Sequence, residues 1–214
     1  MTGAWPWVVA IPLAYVLGAI PVGIIAGRVF SGVDIRAYGS GSTGATNVAR
    51  AVGFKAGILV FGLDLSKGVL AVGVAKVVAD STVIEALAAS SVVAGHNWPV
   101  FAGFRGGKGV ASGLGALGMI SPYAALASGA GPMVTGFTRY VSLGSLVGTV
   151  AACIVLMLQL LVFGYGDLGY LIFALLGILL IGSRHVSNIL RLLRGEEHKL
   201  GARVEVKTAV VGQQ

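Results

Sequence analysis

The chain has 214 residues, 56% of them hydrophobic and 11% charged, with a mean hydropathy of +0.91 and a net charge of +7. A soluble domain keeps roughly 25% charged residues to cover its surface, so less than half that fraction means that most of the exterior faces something other than water. The positive charges are spaced between apolar runs instead of clustering in a soluble basic domain, which argues against nucleic acid and for anionic lipids and anionic substrates as partners.

A hydrocarbon core of ~30 Å needs about 20 apolar residues per helix. Residues 5–29 satisfy this, with Pro12 and Pro21 expected to kink the span. No Lys or Arg precedes Arg28, so the segment reads as a permanent span and not as a signal peptide with a basic leader. Residues 56–78 and 83–101 form the next two candidates. Residues 110–137 are glycine-rich and contain Pro122 and Pro132, and they divide at Ser121-Pro122 into two short helices. Residues 143–163 and 168–181 complete the set. The lone Cys153 lies inside an apolar run and reads as a small buried hydrophobe. The 34 glycines suit closely packed membrane helices. The expected fold is an all-α integral membrane protein with seven transmembrane helices.

With the N-terminus outside and the C-terminus cytoplasmic, the inner segments hold Arg28, Arg36, Arg50, Lys55, Arg105, Lys108, Arg139 and every basic residue from Arg184 on. Asp80, Glu85, Asp167 and Lys76 lie outside. This satisfies the positive-inside rule, whereas six spans would put the basic tail on the wrong side. The remaining basic residue, Lys67, lies in the second span three residues after Asp64, on the same helix face, where the two can pair.

Three inner segments carry more polar residues and glycine than a connection requires: GSGSTGATNVAR at 39–50, GHNWPVFAGFRGGKGVAS at 95–112 and HVSNILRLLRGEE at 185–197. A smaller one, TRYVSLGS, occupies 138–145. The seven-span arrangement places all four at one membrane face, which suggests a composite site. GGKG leads directly into a span, so Gly106, Gly107 and Lys108 can hold a phosphate at a helix start. Ser40, Thr46 and Asn47 offer hydroxyls and an amide, and Arg50 can grip a phosphate bidentately. His185, Asn188 and Arg191 recur every three residues on one side of a helix. An interfacial amphipathic helix is the competing reading of that segment. His96, beside Trp98 and Pro99, reads as a supporting residue, and His198 as a solvated one.

Several familiar motifs fail. Gly39, Gly41 and Gly44 match GxGxxG, but a membrane span precedes them instead of a strand. GGK at Lys108 lacks the first glycine and the Ser/Thr of a phosphate-binding P-loop. Neither GxSxG nor HExxH occurs. No metal site is expected.

In order and spacing, the three segments resemble the signature motifs of the bacterial acyl-phosphate:glycerol-3-phosphate acyltransferases, the PlsY family. DLSKG at 64–68 and TRYVSLGS are also similar to it. Ser42 stands where the family usually has Asn, Arg105 where Lys is common and Ser112 where Thr is common. The resemblance implies transfer of a fatty acyl group from acyl phosphate to the sn-1 hydroxyl of glycerol 3-phosphate, giving lysophosphatidic acid and inorganic phosphate. Acyl phosphate is already activated, so no cofactor is expected. Residues 1–197 would form the membrane acyltransferase domain and 198–214 a basic cytoplasmic tail.

The roles implied are these. Gly106, Gly107 and Lys108 hold the phosphate of glycerol 3-phosphate. Ser40, Thr46, Asn47 and Arg50, with Gly41 beside them, position phosphates and offset developing charge. Ser142 adds a hydroxyl. His185 and Asn188 orient the acceptor with help from Arg191, Glu197 braces the third segment, and Asp64 and Lys67 support the bundle. The base is either His185 or a substrate phosphate oxygen. The His-x4-Asp pattern of other glycerolipid acyltransferases is absent, since Phe101 and Leu190 stand five after His96 and His185. The rival reading, a transporter of phosphorylated metabolites, would place binding groups near the midplane between repeats, and no repeat is visible.

Overall fold

The computed structural model describes residues 5–164 and 167–201, and all the regular structure among them is helical. In chain order the helices are α1 (Trp5–Ala19), α2 (Val22–Ser31), α3 (Ala45–Ala51), α4 (Phe54–Val78), α5 (Thr82–Asn97), α6 (Val110–Ile120), α7 (Pro122–Ala127), α8 (Ala130–Thr138), α9 (Val141–Leu161), α10 (Leu168–Ser183) and α11 (Val186–Leu193). Residues 7–31, α4 and α9 are each long and apolar enough to cross a bilayer, and α10 with α11 forms a further apolar pair bent by 61°.

The two prolines of the first segment act differently. Pro12 sits inside α1 without ending it, while Pro21, which has no N–H to donate, separates α1 from α2. The break leaves the Ile20 carbonyl available, and Lys67 Nζ donates to it at 2.5 Å. Lys67 also donates to Asp64 Oδ1 at 2.9 Å, which is the ion pair expected from the spacing. The division at Ser121-Pro122 is present too. Ser121 Oγ caps α7 through Ala124 N at 3.1 Å, Pro122 occupies the first helical position, and the same hydroxyl donates to Gln159 Oε1 of α9 at 2.6 Å. A further break at residues 128–129 then splits the second half into α7 and α8.

Small residues bring the helices together. A Cβ on Gly18 would lie 2.1 Å from the Val92 carbonyl oxygen, and one on Gly95 would lie 2.2 Å from that of Tyr15, so α1 and α5 touch backbone to backbone. Gly68 and Gly115 do the same between α4 and α6, with Ser112 O and Leu65 O each 2.0 Å from such a Cβ. The buried core is correspondingly rich in Ala and Val, including Ala75, Ala88, Val92 and Ala116. The large side chains Leu63, Leu70, Val77, Leu126, Leu161 and Leu179 point outward. In water this inside-out distribution would be unfavourable, but lipid tails solvate Leu as well as a protein core does, so packing and backbone approach drive helix association.

Candidate active site

The first polar segment is folded around one amide. Asn47 is almost fully buried; its Nδ2 donates to Ile35 O (3.0 Å), Tyr38 O (3.1 Å) and Ser42 O (2.9 Å), and its Oδ1 accepts from Ser40 N at 3.0 Å. The amide is therefore committed to shaping the loop that presents Ser40 and is not free to grip a phosphate, contrary to the direct contact expected from sequence. Gly41 takes a left-handed turn there (φ 69°), which a residue with a Cβ adopts at a cost. Ser42, where the family pattern departs, accepts from Gly44 N at 3.3 Å and leads into α3, which carries Thr46 and Arg50.

The glycine segment before α6 also differs from the phosphate cradle expected. Gly107 N donates to His96 O at 3.0 Å, so this amide is already used. A Cβ on Gly106 would meet His96 O at 2.1 Å, and one on Gly107 would meet His96 Nε2 at 2.0 Å. The paired glycines are thus required for close packing over His96. That ring in turn approaches Asp64 Oδ1 through Nδ1 at 3.5 Å, so the buried pair in α4 supports the loop from below.

Lys108 emerges from this packed loop and donates to Asn188 Oδ1 at 2.7 Å. Asn188 Nδ2 donates to Glu197 Oε1 at 2.6 Å, and Arg191 Nε donates to Glu197 Oε2 at 2.7 Å. One buried carboxylate, that of Glu197, thereby fixes both the amide and the guanidinium. Burial alone would raise its pKa, but the hydrogen bonds from Asn188 and Arg191 and the Arg191 charge hold it below the usual range. The Ser142 hydroxyl faces the same carboxylate and helps to lower it, although no hydrogen bond of good geometry forms.

His185 is 1% exposed, and its Nδ1 lies 2.8 Å from Ile181 O. A carbonyl can only accept, so Nδ1 carries the proton and Nε2 is left as an acceptor. Burial pushes the imidazole pKa down to about 4, with the Lys108 charge acting in the same direction. Burial also pushes Lys108 down to about 8, opposed by Glu197 and assisted by Arg191, Arg50 and Arg184. Arg50, half-buried, donates to His198 O at 3.2 Å, while its Nε is buried without a partner.

A cleft of about 170 Å³ joins these groups. Its lining includes Ser40, Thr46, Asn47, Arg50, Asp64, Lys108, Ser142, His185, Asn188 and Glu197 from the expected set. Gly41 and Gly106 line an adjoining open vestibule of about 410 Å³, which shares Ser40 and Lys108. Three of the expected residues line neither: Gly107 is packed on His96, Arg191 acts through Glu197, and Lys67 is buried beside Asp64.

The chain belongs to the glycerol-3-phosphate acyltransferase family. The family model of that description matches residues 8–195. The glycerol-3-phosphate acyltransferase of Thermoanaerobacter sp. (strain X514) is 43% identical over 91% of this chain and 96% of its own. Two solved structures of PlsY (YgiH), an integral membrane glycerol 3-phosphate acyltransferase, superpose over 91% of this chain and 95% of theirs. The glycerol 3-phosphate form does so with a TM-score of 0.82 at 42% identity, and the lysophosphatidic acid form with 0.79 at 41%.

In this acyltransferase Arg184, which the expected site does not include, also holds the glycine segment. Its Nε donates to Gly107 O at 3.0 Å and its Nη2 to Gly106 O at 3.3 Å, and its guanidinium lies 5.7 Å from the Trp98 ring centroid. It ties the end of α10 to the glycine segment, and its place directly before His185 was the available signal. Asn97 makes a parallel link, donating to Leu180 O at 2.9 Å. The first residues of the expected tail, 198–201, contact the bundle. Beyond the Arg50–His198 contact, Leu200 N donates to Arg139 O at 2.6 Å and Arg139 Nη2 donates back to Leu200 O at 3.0 Å. Residues 202–214 of the expected tail lie outside the described residues.

Proposed function

We propose that this acyltransferase moves a fatty acyl group from acyl phosphate to the sn-1 hydroxyl of glycerol 3-phosphate, releasing lysophosphatidic acid and inorganic phosphate. The observation that carries the reading is the meeting of Lys108, Arg50, a neutral His185 and Asn188 on one cleft. Two phosphate-bearing substrates need fixed cations, and an acceptor hydroxyl needs an acceptor for its proton. The acceptor and the product are supported by the glycerol 3-phosphate and lysophosphatidic acid forms of the related PlsY structures.

Lys108 holds the phosphate of glycerol 3-phosphate at the junction of cleft and vestibule, with the backbone at Gly106 and Gly41 beside it. Arg50, with its unpartnered Nε, takes the acyl phosphate, and Ser40, Thr46 and Ser142 supply hydroxyls. His185 Nε2 accepts a hydrogen bond from the sn-1 hydroxyl and aims its oxygen at the acyl carbon. That oxygen forms the new ester bond, the bond from the acyl carbon to the phosphate oxygen breaks, and phosphate departs. An imidazole with a pKa near 4 is a weak base, so it orients the hydroxyl while the leaving phosphate takes the proton. The cations stabilise charge on the tetrahedral centre. No cofactor takes part, and Asn47, Gly107 and Arg191 serve by holding neighbours.

The test is acyl transfer by purified protein in detergent, with labelled glycerol 3-phosphate and either palmitoyl phosphate or palmitoyl-CoA. The expected result is lysophosphatidic acid from palmitoyl phosphate alone, lost in Arg50→Ala. Product from the thioester alone would overturn the donor, and product from neither, with folded protein, would favour the transporter.

On the same reading the chain crosses the membrane seven times, through α1–α2, α4, α5, α6, α7–α8, α9 and α10. The N-terminus is outside, and the cleft and C-terminus are cytoplasmic in a bacterial plasma membrane. The support is chemical: Asp80, Glu85 and Asp167 cluster at the end away from the cleft, where Lys76 pairs with Glu85 at 2.8 Å. Reporter tags on the two termini should therefore report opposite sides; the same side for both would sink the seven-span count.

A further inference from the structure

Helix α11 has two unlike faces. Inward, it carries Asn188 and Arg191 into the Glu197 network directly after His185. Outward, Val186, Ile189, Leu190 and Leu193 follow the i, i+3, i+4, i+7 pattern and are all exposed, Leu193 to 79%. It packs on α9 with its inner side and leaves the outer face exposed. The 61° bend after α10 swings α11 away from the direction of that 16-residue apolar helix. A helix so turned, apolar on one side and bearing Arg191 and Arg194, has the form that lies in the headgroup layer.

A second feature flanks it. The turn at 100–105 exposes Phe101 and Phe104 beside exposed Arg105, and Phe104 holds a positive φ of 60°, rare for a residue with a Cβ. Arg36 Nη1 pins this turn through Ala102 O at 2.9 Å, and Arg184 pins the glycines that follow it. The vestibule opens between Gly106, which follows the turn directly, and the start of α11, with Lys108 and Arg184 in its wall and Val186 and Leu190 along its edge. Exposed Arg139 and Lys199 lie close by, the latter 5.7 Å from the Tyr140 ring.

We infer that α11 and the 100–105 turn form one docking surface for the anionic phospholipid headgroups of the surrounding bilayer, and that this contact holds His185 and Asn188 in register with Lys108. It rests on the reading that α10 spans the membrane and that α11 carries site residues. The cations select negative headgroups and the apolar edge selects the acyl boundary beneath them, so a neutral surface satisfies only half of the interface.

The test uses full-length protein in nanodiscs of phosphatidylcholine alone or with phosphatidylglycerol. A spin label on Leu193→Cys, with native Cys153 buried, should be reached by oxygen and shielded from an aqueous nickel chelate. A label open to the chelate in both lipids would overturn the surface, and this readout does not depend on enzyme activity. Acyl transfer should run about five-fold faster in the anionic discs, the factor expected for one basic residue near such a surface. Arg194→Glu should remove that difference while leaving the rate in detergent unchanged. An active enzyme indifferent to lipid charge, or an Arg194→Glu variant that keeps the wild-type preference, would overturn the selection of anionic headgroups.

Discussion

Replacing Lys108 with alanine is expected to lower kcat/KM for glycerol 3-phosphate by about 10² to 10³-fold, the usual consequence of removing one preorganised charge-stabilising donor from a sheltered site. Lys108 is the cation shared by cleft and vestibule, and it is anchored at 2.7 Å to Asn188 rather than left to solvent. Its low pKa adds a second signature. Only the ammonium form can hold phosphate, and that form is lost as pH rises through about 8. Activity should therefore decline on the alkaline side, by about tenfold per unit once the proton is gone. Lys108→Arg keeps a charge at every pH and should lack that limb, though its planar fork fits the lysine's seat poorly. Steady-state kinetics across pH checks both statements, and unchanged kcat/KM in the alanine variant would remove Lys108 from the site.

The second large effect is on stability. Asp64→Ala is expected to cost about 3–5 kcal/mol, because it strands Lys67 as an uncompensated charge inside the bundle. The two groups are 2.9 Å apart and almost wholly enclosed, and His96 Nδ1 approaches the same carboxylate oxygen at 3.5 Å. Thermal unfolding in detergent should show a fall on the order of 10 °C. The double variant Asp64→Leu/Lys67→Met should recover most of it, since removing both charges leaves none unpaired. Equal destabilisation in single and double variants would show that the pair matters for some reason other than charge. Because His96 carries the glycine segment, the single variant should also lose acyl transfer out of proportion to its loss of folded protein.

Much of the bundle was legible from residue types. The Asp64–Lys67 pair followed from a spacing of three, the helix break at Ser121-Pro122 from a proline in a long glycine-rich stretch, and the convergence of the polar segments from charge sidedness. Contacts that depend on three-dimensional packing were not legible. Asn47 and Gly107 looked like phosphate ligands because an amide and a glycine N–H are suitable groups, yet the fold spends both on its own loops. Arg184 was missed for the converse reason. An arginine at the end of an apolar span reads as a headgroup anchor, and only the path of the 106–107 backbone shows it holding two carbonyls.

The break at Pro21 also joins two parts of the chain that are made at different times. The Ile20 carbonyl accepts from Val22 N at 2.9 Å within the break, and its side-chain donor comes from Lys67, forty-seven residues further along the chain. Within lipid an uncovered backbone carbonyl has no water to turn to. The turn at Pro21 meets part of that need by itself, and the lysine ammonium adds a tie from the first segment to α4 only once that helix has been made.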